Sequence, residues 1–285
     1  MVIGMEQLDA FQDFLRKEEI AESTRCRYRS VIDQFVNWLN GREVSKEFLL
    51  EWRDSLDKSP STVNVCVSAV NKLLVYLGLD IIHLHQVKKQ SSIYYSEEKE
   101  LTRTDYEQLV CTARAQGKQR LACVIETICA LGLRVSELRF LTVEVLGQKR
   151  IIIRNKGKVR TILMNEGLSR KLRFYCTRNG IRSGAVFVTR SGKPLGRKQI
   201  WAEMKSLCAG AGVDTAKVFP HNLRHLFAVS YYRIYKNIAR LADLLGHSSL
   251  NTTRIYLKTS GEEQRRELES LNLLVSSSRS TRGQP

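Results

Sequence analysis

The sequence predicts a mainly α protein with a small antiparallel β-sheet, arranged as a helical N-terminal unit followed by a larger α-rich unit. Three observations predict it. Apolar residues recur at helical spacing through most of the 285-residue chain. One pair of β-rich runs, RIIIR at 150–154 and VRTILM at 159–164, flanks Asn155-Lys156-Gly157-Lys158, which is a hairpin signature. From His83 to Glu100 the stretch HLHQVKKQSSIYYSEEKE has no period at all, so residues 84–100 read as an interdomain linker.

Each element follows from local chemistry. Within residues 1–83, Tyr28, Ile32, Phe35 and Leu39 form one apolar stripe, with Thr24 available as an N-cap. Ser59-Pro60 is a second start signal, because proline is tolerated at the first helical position. The stripe Val63, Val67, Val70 and Leu74 follows and stops at Gly78. The second unit, 101–275, opens with Thr102 or Thr104 as cap for a helix carrying Tyr106, Leu109 and Val110. Residues 121–131, LACVIETICAL, are apolar on nearly every face and predict a buried helix. Gly132 can end it in the left-handed conformation, and Ser136 can cap the next helix. Helical segments follow the hairpin, and SSSRSTRGQP at 276–285 has the composition of a disordered tail.

Composition narrows the partners. Forty-six Lys and Arg against 29 Asp and Glu give a net charge of +17, which points to polyanions and to nucleic acid first. An apolar fraction of 43% excludes a wholly disordered chain. Arg25, Arg27, Arg29 and Lys72 decorate the N-terminal helices as candidate DNA contacts or as a solvated basic face. The N-terminus lacks a basic start before an apolar run, and no window reaches the ~18 apolar residues of a membrane span. A cytoplasmic protein with no membrane partner is expected. The seven cysteines include no Cys-x-x-Cys pair, so they read as small core residues, neither a disulfide frame nor a zinc site.

Four clusters in the second unit carry chemistry. In ALGLRVSEL, 130–138, Arg134 falls in a turn between apolar segments, where it needs an anion or a partner such as Glu137. Lys156 projects from the hairpin turn, as a proton donor or as an ordinary exposed lysine. In FPHNLRHLFA, His221 and Arg224 lie three apart on one helical face, which suits a phosphate clamp beside a proton carrier; His225 reads as a structural neighbour. In LLGHSSLNTTRIYLKTSGEE, His247 follows a glycine turn and Tyr256 comes nine positions later, as a nucleophile or as a buried hydrogen-bonded tyrosine. No cluster has metal-ligand spacing.

Taken together and in this order, Arg134, Lys156, His221-x-x-Arg224, His247 and Tyr256 resemble the catalytic set of the tyrosine recombinase (phage integrase) family. The likeness extends over essentially the whole chain, residues 6–82 being similar to that family's helical core-binding domain. One departure is Asn155, where the family often has glycine. The resemblance implies a site-specific enzyme that cuts and rejoins duplex DNA without metal, ATP or organic cofactor. Tyr256 would form a 3′-phosphotyrosine, Arg134, Arg224 and His247 would neutralise the phosphate, Lys156 would be the acid, and His221 the base. It further implies a homotetramer on synapsed DNA and a monomer or weak oligomer off it, with the helix beyond Tyr256 passed to a neighbouring protomer. The chain starts almost directly in the core-binding domain, as simple recombinases do. The LKTSGEE segment inclines the reading to integration or excision of a mobile element. Xer-type chromosome or plasmid dimer resolution is the alternative, ahead of a type IB topoisomerase or a retired DNA-binding regulator.

Overall fold

The computed structural model describes residues 3–88, 100–155, 158–247, 249–257 and 261–271. It divides into two compact units, one within residues 1–92 and one within 93–285.

The first unit is four helices around one core: α1 (Met5–Lys17), α2 (Glu22–Leu39), α3 (Lys46–Asp54) and α4 (Pro60–Tyr76). Ile32, Phe35 and Leu39 of the predicted stripe are buried and Tyr28 packs half-buried beside them. Phe35 meets Trp52 edge-on at 4.9 Å, joining α2 to α3. The start of α2 differs from expectation. Ala21 occupies the N-cap, so Thr24 lies inside the first turn and caps nothing. Pro60 does open α4 after Ser59, and all of Val63, Val67, Val70 and Leu74 are buried. Gly78 follows the helix with φ +70°, the left-handed geometry that glycine adopts without strain.

The aperiodic stretch starts as a strap on this unit. Leu84 is 1% exposed in the core, because the Asn71 side chain donates to the Leu84 carbonyl and accepts from its N–H, both at 2.8 Å. Asn64 holds Val87 in the same two-point way. Asparagine amides can replace a missing backbone partner, which is how a segment without periodicity gains a fixed course. The remainder of the expected linker, 89–99, lies outside the described residues.

Of the basic residues considered for DNA contact, Arg29 is tied to Asp9 and Asp33 at 2.8 and 2.9 Å, and Lys72 to Glu18 at 3.0 Å. Arg25 is half-buried, and Arg27 is exposed. All seven cysteines are free thiols. Cys66, Cys123, Cys176 and Cys208 are buried and Cys129 half-buried, but Cys26 and Cys111 are exposed, contrary to the core reading.

In the second unit α5 (Arg103–Ala115) is capped by Thr102, whose hydroxyl accepts from Asp105 N–H while the Asp105 carboxylate accepts from Thr102 N–H. The all-apolar run becomes α6 (Gln119–Leu131), buried along almost its whole length. It ends at Gly132 with φ +57°. A 3-10 helix, Val135–Phe140, follows with Arg134, not Ser136, at its N-cap. The reason is Glu137, whose carboxylate accepts from the Arg134 N–H at 2.8 Å and so starts the turn two residues early.

The sheet is a single antiparallel pair, β1 (Arg150–Asn155) and β2 (Lys158–Leu163), with Asn155 opposite Lys158. Helices α7 (Glu166–Arg178), α8 (Arg197–Lys205), α9 (Cys208–Ala211), α10 (Pro220–Tyr235), α11 (Ile238–Leu245), α12 (Leu250–Thr253) and α13 (Gly261–Ser270) complete the unit. The central core runs through α5, α6, the hairpin, α7 and α8. A satellite cluster of Ala228, Leu241, Leu245 and Tyr256 joins α10, α11 and the segment after α12. Among the described residues, no helix is long and apolar enough to cross a membrane.

Candidate active site

The site is assembled around two glycine turns. At the first, the Gly132 carbonyl accepts from Arg224 Nη1 at 2.6 Å and lies 3.4 Å from Arg160 Nη2. At the second, Gly246, φ +63°, turns the chain from α11 into His247. Its missing side chain matters, because a Cβ there would meet Arg160 Cδ at 2.7 Å. Both turns lead helix ends into the pocket, where free carbonyls attract cations.

Three guanidinium groups converge. Arg134 donates from Nη1 to Glu137 at 3.0 Å and points Nη2 toward the Gly246 carbonyl at 3.4 Å, with 41% of its side chain exposed. Arg224 is 1% exposed and donates from Nη2 to the Leu245 carbonyl at 2.7 Å. Arg160 is buried on the inner face of β2, where it donates to Glu137 at 2.6 Å and from Nε and Nη2 to the Leu244 carbonyl at 3.0 and 2.6 Å. Burial, then the neighbouring Arg134 and Arg160, lowers the Arg224 pKa to about 10; burial likewise lowers that of Arg160, against the pull of Glu137. Arg160 and Arg224 remain cations near neutral pH.

The histidines are the opposite case. His247 Nε2 lies 3.0 Å from Arg224 Nη2, and its Nδ1 lies 2.9 Å from the Thr253 hydroxyl. Burial and then Arg224, Arg134 and Arg160 lower its pKa to about 4. His221 is exposed on the first turn of α10, and its pKa is lowered by desolvation, Arg224, Arg134 and Arg197. His225, beyond Arg224 on the same helix, is buried, and its pKa falls to about 4 by burial and then His221.

Tyr256 sits between two of these rings. It is 4% exposed, lies nearly parallel to His247 with ring centres 6.0 Å apart, and meets His225 edge-on at 5.1 Å. In front of this layer opens a cleft of about 1000 Å³, whose walls include Arg134, Glu137, Arg160, Arg240 and His247. An anion entering the cleft meets guanidinium groups and an imidazole among its lining residues.

Arg134, Arg224, His247, Tyr256 and the supporting Glu137 are thus brought into one layer, with His221 at its edge. Lys156 lies outside the described residues; Asn155 and Lys158, on either side of Lys156 and Gly157 in sequence, pair in the register of β1 and β2. Sequence reasoning missed two groups. Arg160 had a signal, since it alternates with Ile162 on the core-facing side of β2, a position that should be apolar. Thr253, fully buried, had none beyond its place three residues before Tyr256. His225, read from the sequence as a structural neighbour, packs directly on the tyrosine.

A buried tyrosine against imidazoles, fronted by paired guanidiniums on an α-helical scaffold with one hairpin, defines a class of phosphoryl-transfer protein. The chain belongs to the phage integrase family, which matches residues 99–263, and is a tyrosine recombinase. It is 26% identical to tyrosine recombinase XerD of Vibrio cholerae serotype O1 (strain ATCC 39315 / El Tor Inaba N16961) over 270 residues, covering 85% of this chain and 88% of that protein. Its fold is similar to that of the Tn1549 transposon integrase in complex with transposon right end DNA, with TM-score 0.68, 18% identity, and 93% and 99% of the two chains covered. It is also similar to a lambda integrase tetramer bound to a Holliday junction, with TM-score 0.71, 15% identity, and 88% and 76% covered.

Proposed function

We propose that this protein is a site-specific recombinase that binds duplex DNA and exchanges strands through Tyr256. The observation that carries the reading is the layer itself: Arg134 and Arg224 flank His247, and His247 stacks on Tyr256. The tyrosine oxygen attacks the phosphorus, the 5′-oxygen leaves, and a 3′-phosphotyrosine stores the bond energy for rejoining. A phenol with a pKa near ~10 needs help at neutral pH. His221, neutral because its pKa is depressed, takes the phenol proton, and Arg134 and Arg224 stabilise charge on the non-bridging oxygens. Lys156 gives the leaving oxygen its proton. With cations supplied by side chains, the reaction needs no metal and continues in EDTA.

The unit 1–83 is the core-binding domain, 101–275 the catalytic domain, and 276–285 a tail. The exposed Arg27 is the first choice among the four basic residues for a DNA contact, because Arg29 and Lys72 already hold carboxylates. Four protomers on two sites form the working assembly, a reading supported by the tetrameric lambda integrase likeness. The Xer relative supports dimer resolution about as well as the transposon integrase likeness supports integration of a mobile element, and both roles use the same chemistry.

The test is Tyr256→Phe on a nicked duplex selected for binding from a randomised pool. The wild type is expected to leave a covalent adduct on a denaturing gel. The variant is expected to bind equally and leave none. An adduct surviving in Tyr256→Phe refutes the nucleophile.

A further inference from the structure

Thr253 is fully buried, ends α12 and precedes Tyr256 by three residues. Its hydroxyl is 2.9 Å from His247 Nδ1, while the other ring nitrogen faces Arg224 Nη2 at 3.0 Å. A guanidinium can only donate, so His247 Nε2 must be the acceptor. A neutral imidazole with an accepting Nε2 carries its proton on Nδ1, and that N–H donates to Thr253 Oγ. With these two hydrogen bonds, therefore, His247 offers no proton toward the cleft. To neutralise a phosphate it must present Nε2–H instead.

We propose that Thr253 is a positioning residue that fixes the His247 ring in both states and lets its tautomer reverse when a phosphate enters. This rests on the recombinase reading above. When a phosphoryl oxygen draws the ring's Nε2 away from Arg224, Nε2 takes a proton from water and Nδ1 releases one to water. The imidazole stays neutral throughout. The Thr253 hydroxyl, which accepted from Nδ1–H, turns its own hydrogen to the new Nδ1 lone pair. Only a hydroxyl can do both; a carboxylate would hold the Nδ1–H tautomer, and a methyl would hold neither. The charged and titratable groups facing the ring are Arg134, Arg160, Arg224, His221 and Tyr256, and the three guanidiniums oppose a positive charge on the ring. That is why exchange of tautomers, not protonation, is the step the pocket favours.

The position of Thr253 gives this device a second consequence. The turn that places the hydroxyl on His247 continues directly into the 3-10 turn carrying Tyr256. The nucleophile and the group that sets its neighbour's tautomer are therefore carried by one continuous stretch of helical turns.

Two variants and one spectroscopic measurement test the proposal. With the full chain labelled with 15N at histidine, and His247→Gln used for assignment, the free protein is expected to show the His247 proton on Nδ1. Titration with inorganic phosphate is expected to move it to Nε2. Thr253→Val keeps the shape without the hydroxyl, and Thr253→Ser keeps the hydroxyl. The valine variant is expected to bind the selected nicked duplex as the wild type does but to form adduct about tenfold more slowly, with serine restoring the rate to within about threefold. Thermal unfolding checks that both variants fold. A proton on Nε2 in the free protein, or no movement with phosphate, overturns the proposal, as does equal slowing in folded serine and valine variants. If the wild type itself forms no adduct, the recombinase reading fails, while the tautomer measurement stands separately.

Discussion

Glu137 and Arg160 form a buried ion pair at 2.6 Å, with 3% and 6% of their side chains exposed. Glu137 also binds the backbone and the guanidinium of Arg134, so one carboxylate fastens the hairpin to the arginine turn after α6. Arg160 then reaches the end of α11 through the Leu244 carbonyl, two residues before the Gly246 turn. The pair thereby joins three elements at the site.

Removing one partner should therefore be costly. Arg160→Met keeps volume but leaves the Glu137 carboxylate with half its charge compensation and the Leu244 carbonyl without its donor. A loss of about 3 kcal/mol is expected, since breaking a buried pair strands a charge. Urea unfolding at pH 7.5 measures it, and a loss below about 1 kcal/mol would show that water replaces the guanidinium.

Acid should also unfold this unit early. His225 and His247 both have pKa values lowered to about 4 from an ordinary 6.5, chiefly by burial. Between those values the unfolded chain binds more protons than the folded one, so stability falls as pH drops. The contribution is complete above pH 6.5 and is lost progressively toward pH 4. Unfolding midpoints measured from pH 7.5 to 4.5 should decline, and His225→Gln should flatten the decline. An unchanged slope in that variant would place the acid sensitivity elsewhere.

Much of this was readable before the fold was known, and the exceptions share a cause. Arg134 stood out in a turn between apolar segments, His247 at a glycine turn and Arg224 by its spacing from His221, while Tyr256 stood out only through the ordered set as a whole. The stripes of α2 and α4 and the buried α6 followed from periodicity alone. Helix starts were less legible, since the N-cap positions are taken by Ala21, with no side-chain cap, and by Arg134, whose N–H binds Glu137, instead of by Thr24 and Ser136. The course of residues 84–88 depends on Asn64 and Asn71, 23 and 13 positions away, and no local signal announces such a pairing. Thr253 is the extreme case: its importance lies wholly in which ring nitrogen it faces.

Chemical substitution of the DNA separates the roles of Lys156 and Arg134. A 5′-bridging sulfur leaves without needing a proton. Lys156→Ala should cleave such a substrate at least tenfold faster than its oxygen counterpart, because the missing acid is no longer required. Arg134→Ala should gain nothing, since the charge on the non-bridging oxygens remains uncompensated. Equal defects on both substrates for the lysine variant would make Lys156 a phosphate-binding group only.

The segment after Tyr256 should control assembly without controlling single-site affinity. α13 carries Glu262, Glu263, Arg265, Arg266 and Glu269, and Leu268 and Leu271 are 69% and 57% exposed. Leu274, which continues the stripe, lies outside the described residues. Two leucines left in water are unfavourable by roughly 1.5–3 kcal/mol each relative to burial, and a neighbouring protomer is the surface that recombinase assembly would supply. Deleting residues 262–285 removes this stripe but none of Arg134, Arg160, Arg224 or His247. Binding to one half-site should change less than twofold, because phosphate neutralisation sets that affinity. Cooperativity across two adjacent half-sites should drop at least tenfold, and strand exchange should follow it down. Gel-shift titrations on one and two half-sites compare the two quantities directly. Full cooperativity in the truncated chain would mean that α13 serves its own subunit.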